Sequence, residues 1–418
     1  MRARLVTLFS SPDVHLFIMK QLLSKTLFLT TIILMDILAG AELDLFVPSF
    51  PELQTLFDLS PFWVEALLSI NLIGFCLSLF FVGTLADRYG RKPIILIGIC
   101  IFIMGTVLCL ILPTYSFLLV GRFLQGVGIA APATLCFLII ADAYPLKQQQ
   151  FLMAMLNGVA NASIAAAPIL GSYISLYFHW TGNFLALLCF GLIVLFMTIW
   201  FIPAHVRPAV QVHEKLSLKN YLPLFQSRPL MLLVFHITCI AVTYWVFVGM
   251  SPILFMEDLG VSLKHFGFYQ GSMALVFAGA SIVSGLIIHR YDQKKMLHLS
   301  YPFCIVSLGV LAWVTLINSS NPILVTFAVI PFSICVALPV TILYPICLNL
   351  IPEAKGRISA ILQGSRLIVT AVALQVAGYY YQHSFQNIGL IITASFFIAV
   401  ITLFFVIKNK DLVQEQPT

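Results

Sequence analysis

Long uninterrupted apolar stretches, separated by short polar turns, dominate the chain from about residue 26 to residue 407. We count twelve of them, at about 26–47, 63–83, 94–112, 115–142, 150–176, 182–202, 230–252, 267–288, 297–317, 322–348, 357–378 and 387–407. Each is long enough to cross a bilayer as a helix, which takes about 20 residues. Barrel strands alternate apolar and polar positions and are about half as long, so continuity predicts helices. The pattern predicts an all-α polytopic membrane protein.

Composition agrees: 61% of the residues are hydrophobic and 9% are charged, with a mean hydropathy of +1.03. The 22 Lys and Arg residues are distributed unevenly. The first tail carries Arg2, Arg4, Lys20 and Lys25, the next turn on that side Arg88, Arg91 and Lys92, and further same-side loops end with Lys408 and Lys410. Loops on the opposite side hold only Lys264, while Arg122 and Arg366 fall inside apolar runs. By the positive-inside rule both termini and the central loop face the cytoplasm. The net charge of +6 is then a topology signal, and no nucleic-acid partner is expected. All nine cysteines lie in the apolar runs without a C-x-x-C pair; they read as packing residues, with no metal or cofactor site expected. Met19 is a plausible alternative start, so residues 1–18 carry no functional reading.

Residues 203–229 break the apolar pattern with Pro203, Pro208, Pro223, Pro229 and the polar run 211–215. Six runs precede this loop and six follow. Gly83, Arg88, Tyr89 and Lys92 recur 202 residues later as Gly285, Arg290, Tyr291 and Lys294, each set in the turn after the second run of its half. That position favours an internal duplication. The expected organisation is a tail (1–25), a six-helix bundle (26–202), a linker (203–229), a second six-helix bundle (230–407) and a tail (408–418). Two such bundles place a substrate site at the midplane between them.

The turn Gly83-Thr84-Leu85-Ala86-Asp87-Arg88-Tyr89-Gly90-Arg91-Lys92-Pro93 gathers four charges between two long apolar runs. Gly83 and Gly90 allow close helix approach and a positive-φ turn. Asp87 can accept hydrogen bonds from a helix N-terminus, and Arg88 and Arg91 can reach a carboxylate on a neighbouring span, Asp142 being the candidate. The stretch resembles the signature loop of the major facilitator superfamily of transporters. That resemblance implies a latch that holds the cytoplasmic side in one of two access states.

The first run carries Asp36, Glu42 and Asp44. Asp36 lies about 16 Å beyond Lys25 at 1.5 Å per residue, near mid-bilayer. Asp44 is about 80° further round the helix, and Glu42 is about 160° from Asp44, so those two cannot both face one cavity. Intramembrane carboxylates are costly unless protonated, paired or hydrated, which suits a group that carries a proton across. A carboxylate at the outer end can also simply face water, a reading that fits Glu42 better than Asp44 and Asp36 least. The stretch 42–51, with Asp44 followed by Pro48 and Pro51, resembles the first-span signature of the Bcr/CflA-type drug:proton antiporters; Asp36 and Glu42 are not part of it.

In the fourth run, Arg122-Phe123-Leu124-Gln125-Gly126-Val127-Gly128 resembles the family's Arg-x-x-Gln-Gly-x-Gly motif. An unpaired arginine there is implausible, so Arg122 is expected to pair with Asp44 or Asp36. In the fifth, Ser163 to Ser172 is similar to the superfamily's antiporter motif, with Ser163, Ala167 and Ser172 replacing three of its glycines. Small residues still permit tight packing there, and Ala167, Pro168 and Gly171 mark the expected packing kink. The seventh run offers His236, Tyr244, Trp245 and Phe247, then Gly249 to Pro252 and Glu257 to Gly260; cavity-facing aromatics suit lipophilic substrates, although aromatics near a span end also serve as interfacial anchors. Arg366, in the eleventh run, fits no part of the pattern. It is a ligand for an anion, a partner of a first-span carboxylate, or a structural bond to carbonyls.

The resemblance implies a monomeric transporter of the bacterial inner membrane that exchanges protons for small lipophilic compounds. Asp44, Asp36, Glu42 and Arg122 would couple the proton, and Gln125, His236, Tyr244, Trp245 and Arg366 would meet the substrate. The alternative is transport of an anionic metabolite or siderophore through Arg366 and Arg122. The nine histidines include no His-x-x-x-His pair, and no nucleotide-binding loop appears, so neither a membrane enzyme nor an ATP-driven pump is expected.

Overall fold

The computed structural model describes residues 12–112, 114–144, 146–203, 221–288, 291–351, 354–409 and 412. The two tails and the linker expected at 203–229 fall partly outside these residues, as does Arg290. The described chain is helical: α1 (Pro12–Asp44), α2 (Phe50–Phe57), α3 (Pro61–Tyr89), α4 (Arg91–Ile111), α5 (Tyr115–Ala143), α6 (Leu146–Phe201), α7 (Arg228–Pro252), α8 (Leu263–Ile287), α9 (Gln293–Leu316), α10 (Pro322–Asn349), α11 (Lys355–Tyr379) and α12 (Phe385–Lys408).

Among the described residues eleven helices are long and apolar enough to cross a membrane. The twelve runs of the sequence fall in eleven elements because the fifth and sixth share α6, which is interrupted only at His179 (φ 59°, ψ −173°). The interruption has a physical anchor. Glu52 of α2 accepts from the Trp180 backbone N–H at 2.8 Å and meets His179 Nδ1 at 3.0 Å. Below it, Asn183 donates to Ser49 and Ser175 at 2.8 and 2.7 Å, tying both arms of α6 to the turn after α1.

The outer surface of the molecule is apolar, with Phe196, Trp200, Phe303, Phe327 and many aliphatic side chains exposed. In water such a surface would aggregate; against lipid tails it is at rest. This is an integral membrane protein.

Inside the first half, helices approach backbone to backbone. A Cβ on Gly126 of α5 would lie 2.0 Å from the Asn71 carbonyl oxygen of α3. Small residues are how helices gain contact where no hydrophobic effect drives them together. Gly126→Val is expected to destabilise the protein by about 1–3 kcal/mol through overpacking, readable as a lower thermal-unfolding midpoint in detergent.

The halves of the chain before and after the linker meet along two seams, α3 against α11 and α6 against α8. The end of the molecule near residues 83–93 and 221–228 is here called the linker end, and the opposite one the far end. At the α6–α8 seam, Gly267 packs on Pro168 and Ile169, and Gly271 on Ala165. Further along α8, toward the linker end, Gly279 and Gly285 have no neighbour among the described residues within 4 Å of a Cβ position. That seam is therefore tight at the far end.

Candidate functional site

α1 ends at Asp44, and its last turn delivers two acids to different neighbours, as their spacing round the helix requires. Glu42 turns toward α5 and α3. Its Oε1 accepts from Arg122 Nη1 at 2.7 Å and from Asn71 Nδ2 at 2.8 Å. Arg122 also donates to Gln125 Oε1 at 2.8 Å and its guanidinium carbon lies 4.9 Å from the centre of the Phe46 ring. Gln125 passes the chain on to Thr106 at 2.8 Å. Arg122 is 0% and Glu42 1% exposed.

This corrects two expectations. Arg122 pairs with Glu42 instead of Asp44 or Asp36, and Glu42 does not face water. The reason is rotational: the last turn of α1 is sealed by α5 and α3, and only Glu42 points that way. Gln125, expected at the substrate, is occupied by this network.

Asp44 points instead across the α6–α8 seam. Gln270 of α8 donates to its Oδ1 at 3.3 Å, and its Oδ2 is buried without a partner. Asp44 is 1% exposed and interacts electrostatically with the Tyr244 phenol. Asp36, also buried, sits two turns down α1, within electrostatic reach of Cys136 of α5. Gly171 makes this corner possible: a Cβ there would lie 2.1 Å from the Leu45 carbonyl oxygen. Ala167 is buried, and Pro168, whose carbonyl accepts from Ser172 Oγ at 2.7 Å, belongs to the surface that α8 packs on; the backbone stays helical through it.

A cavity of about 170 Å³ opens beside this corner, lined by Tyr244, Trp245, Phe277, Phe332, Tyr344 and Arg366 among others; Ile164 is the contribution of the first half. Arg366 donates to Gln363 Oε1 at 2.7 Å, while its Nε is buried without a partner. Tyr244 and Trp245 stack edge to face, ring centres 5.5 Å apart. Among the described residues no carboxylate lines this cavity. His236 stands elsewhere, between α7 and α12, where its Nδ1 meets the Ala399 carbonyl and Thr402 Oγ1 at 3.0 Å each.

At the linker end, α3 and α4 share Gly90 (φ 94°) as a one-residue joint. Arg91, 4% exposed, bridges Asp87 Oδ1 at 2.6 Å and Asp142 Oδ2 at 3.0 Å. Lys92 donates to the Ile199 carbonyl at 2.7 Å, reaching the second arm of α6. Three details correct the sequence reading. Asp87 accepts from the Arg91 side chain instead of a helix terminus. Arg88 is exposed and lies over the Tyr89 ring at 5.3 Å, because it leaves α3 on the outer face. Gly83 has no neighbour among the described residues within 4 Å of a Cβ position, so no close approach among them depends on it.

Three residues of this region were not singled out from the sequence: Asn71, Gln270 and Glu65. The two amides give no signal of their own in an apolar run. Glu65 does, as a lone acid within a spanning helix.

The family model described as Major Facilitator Superfamily matches residues 32–374. A multidrug resistance protein MdtL of Escherichia coli K12 is 31% identical over 246 residues, which is 59% of this chain and 61% of that protein. Its counterpart in Klebsiella pneumoniae subsp. pneumoniae is 26% identical over 280 residues, 65% of this chain and 69% of that protein. The chain thus aligns with about three fifths to two thirds of these relatives' length. In fold it is similar to the crystal structure of a D-xylose-proton symporter (TM-score 0.70, 14% identity, 91% of this chain and 97% of the other). It is equally similar to a bacterial homolog of the human lysosomal transporter Spinster, inward-facing and occupied (TM-score 0.71, 14% identity, 91% and 96%).

Proposed function

Because the chain belongs to the major facilitator superfamily, we propose that it is a proton-coupled transporter of the bacterial inner membrane that exports small lipophilic compounds in exchange for protons. Its two halves form six-helix bundles, with α6 crossing twice about His179 for twelve crossings in all. Both termini lie in the cytoplasm, an orientation supported by the loop lysines and arginines. It works as a monomer in the bilayer without a cofactor.

The observation that carries this reading is Asp44. It is an acid of the first half, buried at the seam and bonded across it to Gln270 of the second half. A group so placed can be charged only while something compensates it or the seam is hydrated. Its proton and the arrangement of the halves are thereby coupled. A proton arriving from the periplasm neutralises Asp44 and releases substrate outward; its loss to the cytoplasm resets the cycle. The Arg91–Asp87–Asp142 cluster steadies the cytoplasmic ends in one access state. The relatives named as multidrug resistance proteins support lipophilic substrates, and so does the apolar lining.

Inverted membrane vesicles with an acid interior and a pH-sensitive dye test this. Lipophilic cations or neutral drugs are expected to trigger proton release. Silence with both would overturn the reading. One observation favours a second substrate class: Arg366 is the charged residue of the cavity lining, which fits an anion. A response confined to polycarboxylates or aromatic acids, and lost on Arg366→Gln, would replace drug export by anion transport.

A further inference from the structure

The mechanism above makes no use of Glu65, a buried acid at the other seam. Glu65 stands one turn into α3, on the face turned toward the second half. It is 0% exposed, and neither carboxyl oxygen has a hydrogen-bond partner among the described residues. Opposite it is Gly249 of α7, where a Cβ would lie 2.8 Å from Glu65 Oε2 and 2.5 Å from Leu374 Cδ2 of α11. The acid therefore fills the space that a side chain on α7 would occupy.

Around Glu65 the seam is closed by direct bonds. Ser69 Oγ donates to the Ala371 carbonyl at 3.1 Å, Gln375 Nε2 donates to Ser69 Oγ at 3.0 Å, and Gly378 packs on the backbone of Pro61 and Phe62. The groups set beside it are neutral: Gly249 from α7, Leu374 from α11 and Leu68 from its own helix. From α5 comes Arg122, which touches α3 at the Leu67 carbonyl at 3.4 Å but is bound to Glu42 of α1. No cation stands within ion-pair distance of Glu65 among the described residues.

A lone ionised carboxylate is strongly disfavoured in such a seam, whereas a neutral carboxylic acid is tolerated. We propose that Glu65 is a second proton-binding site, separate from Asp44, and that its proton acts as a latch on the far end of the α3–α11 seam. With the proton bound the seam stays shut; once it leaves, the charge draws in water and parts α3 from α7 and α11. This rests on the reading that a proton and the arrangement of the halves are coupled, and adds to it a second proton per cycle. The sign is definite. The closed seam holds the proton and the hydrated open seam releases it, so closure is favoured at low pH and lost as pH rises.

Hydrogen–deuterium exchange by mass spectrometry, on the full-length protein in lipid nanodiscs over a pH series and corrected for intrinsic exchange, tests the latch. Protection of residues 61–69 and 371–378 is expected to fall about tenfold per pH unit once the open state ionises. Glu65→Gln should keep these segments protected at every pH, and Glu65→Asp should restore the pH dependence. A flat wild-type profile overturns the proposal whether or not Glu65→Gln folds, and so does a Glu65→Gln profile that follows the wild type. Asp44→Asn separates this proposal from the transport reading. If the seam keeps its pH dependence in that variant the latch stands, whatever the vesicle assay returns; if the dependence vanishes, Asp44 is the responsible group and the latch falls.

Discussion

Glu42→Ala is expected to lower the stability of the protein by about 3–5 kcal/mol, the cost of stranding a buried charge. Among the described residues Arg122 is the largest fully buried side chain, and Glu42 is the carboxylate within ion-pair reach of it. Gln125, Phe46 and the Leu67 carbonyl would remain, but none of them carries the balancing charge. The loss should appear as a large drop in the unfolding midpoint in detergent and as poor recovery from membranes. Removing both charges, as Glu42→Gln with Arg122→Met, should recover most of it, because a neutral pair strands nothing. Replacing Glu52, whose partner His179 is exposed, should have a far smaller effect. A Glu42→Ala protein that melts with the wild type would show that water reaches Arg122.

Asp44→Asn should leave a folded protein that no longer couples transport to protons. Asparagine keeps the size of the aspartate and can still meet Gln270, so the seam closes as before, but the group can no longer gain or lose a proton. In inverted vesicles, substrate-triggered proton release should fall to that of vesicles lacking the protein, while exchange of labelled for unlabelled substrate, which needs no net proton movement, should continue. Asp36→Asn should have a weaker effect, since Asp36 lies inside the first half, within electrostatic reach of Cys136 and away from the seam. Undiminished proton release in Asp44→Asn would move the coupling role elsewhere.

How far the sequence could be read depended on the kind of interaction. The spanning helices follow from run length, which the bilayer enforces residue by residue. The turn at Gly90 follows from glycine at a positive φ. The joint at His179 does not, since its anchor is Glu52, an ordinary acid in an ordinary amphipathic stretch. Partner choice was the least legible. Helical spacing correctly parted Glu42 from Asp44, yet it could not say which of them faces α5, because that depends on the rotation of α1 about its own axis. The same holds for Arg88 and Arg91, three residues apart, of which only Arg91 turns inward. Glu65 was visible as a lone acid in an apolar run; what the sequence could not show was that Gly249 of α7 is the residue that receives it.

The buried acids at issue, Asp36, Glu42, Asp44 and Glu65, all belong to the first half of the chain, whereas Ile164 is that half's share of the cavity wall. On the proposed reading, motive force and selectivity are inherited through different halves of one chain. Drift confined to the cavity-lining positions of α7, α8, α10 and α11 can then change which compounds are carried while the acids, and the partners Gln270 and Gly249 that meet them from the second half, stay untouched. A lineage built this way can acquire new cargo without first surviving a loss of energisation.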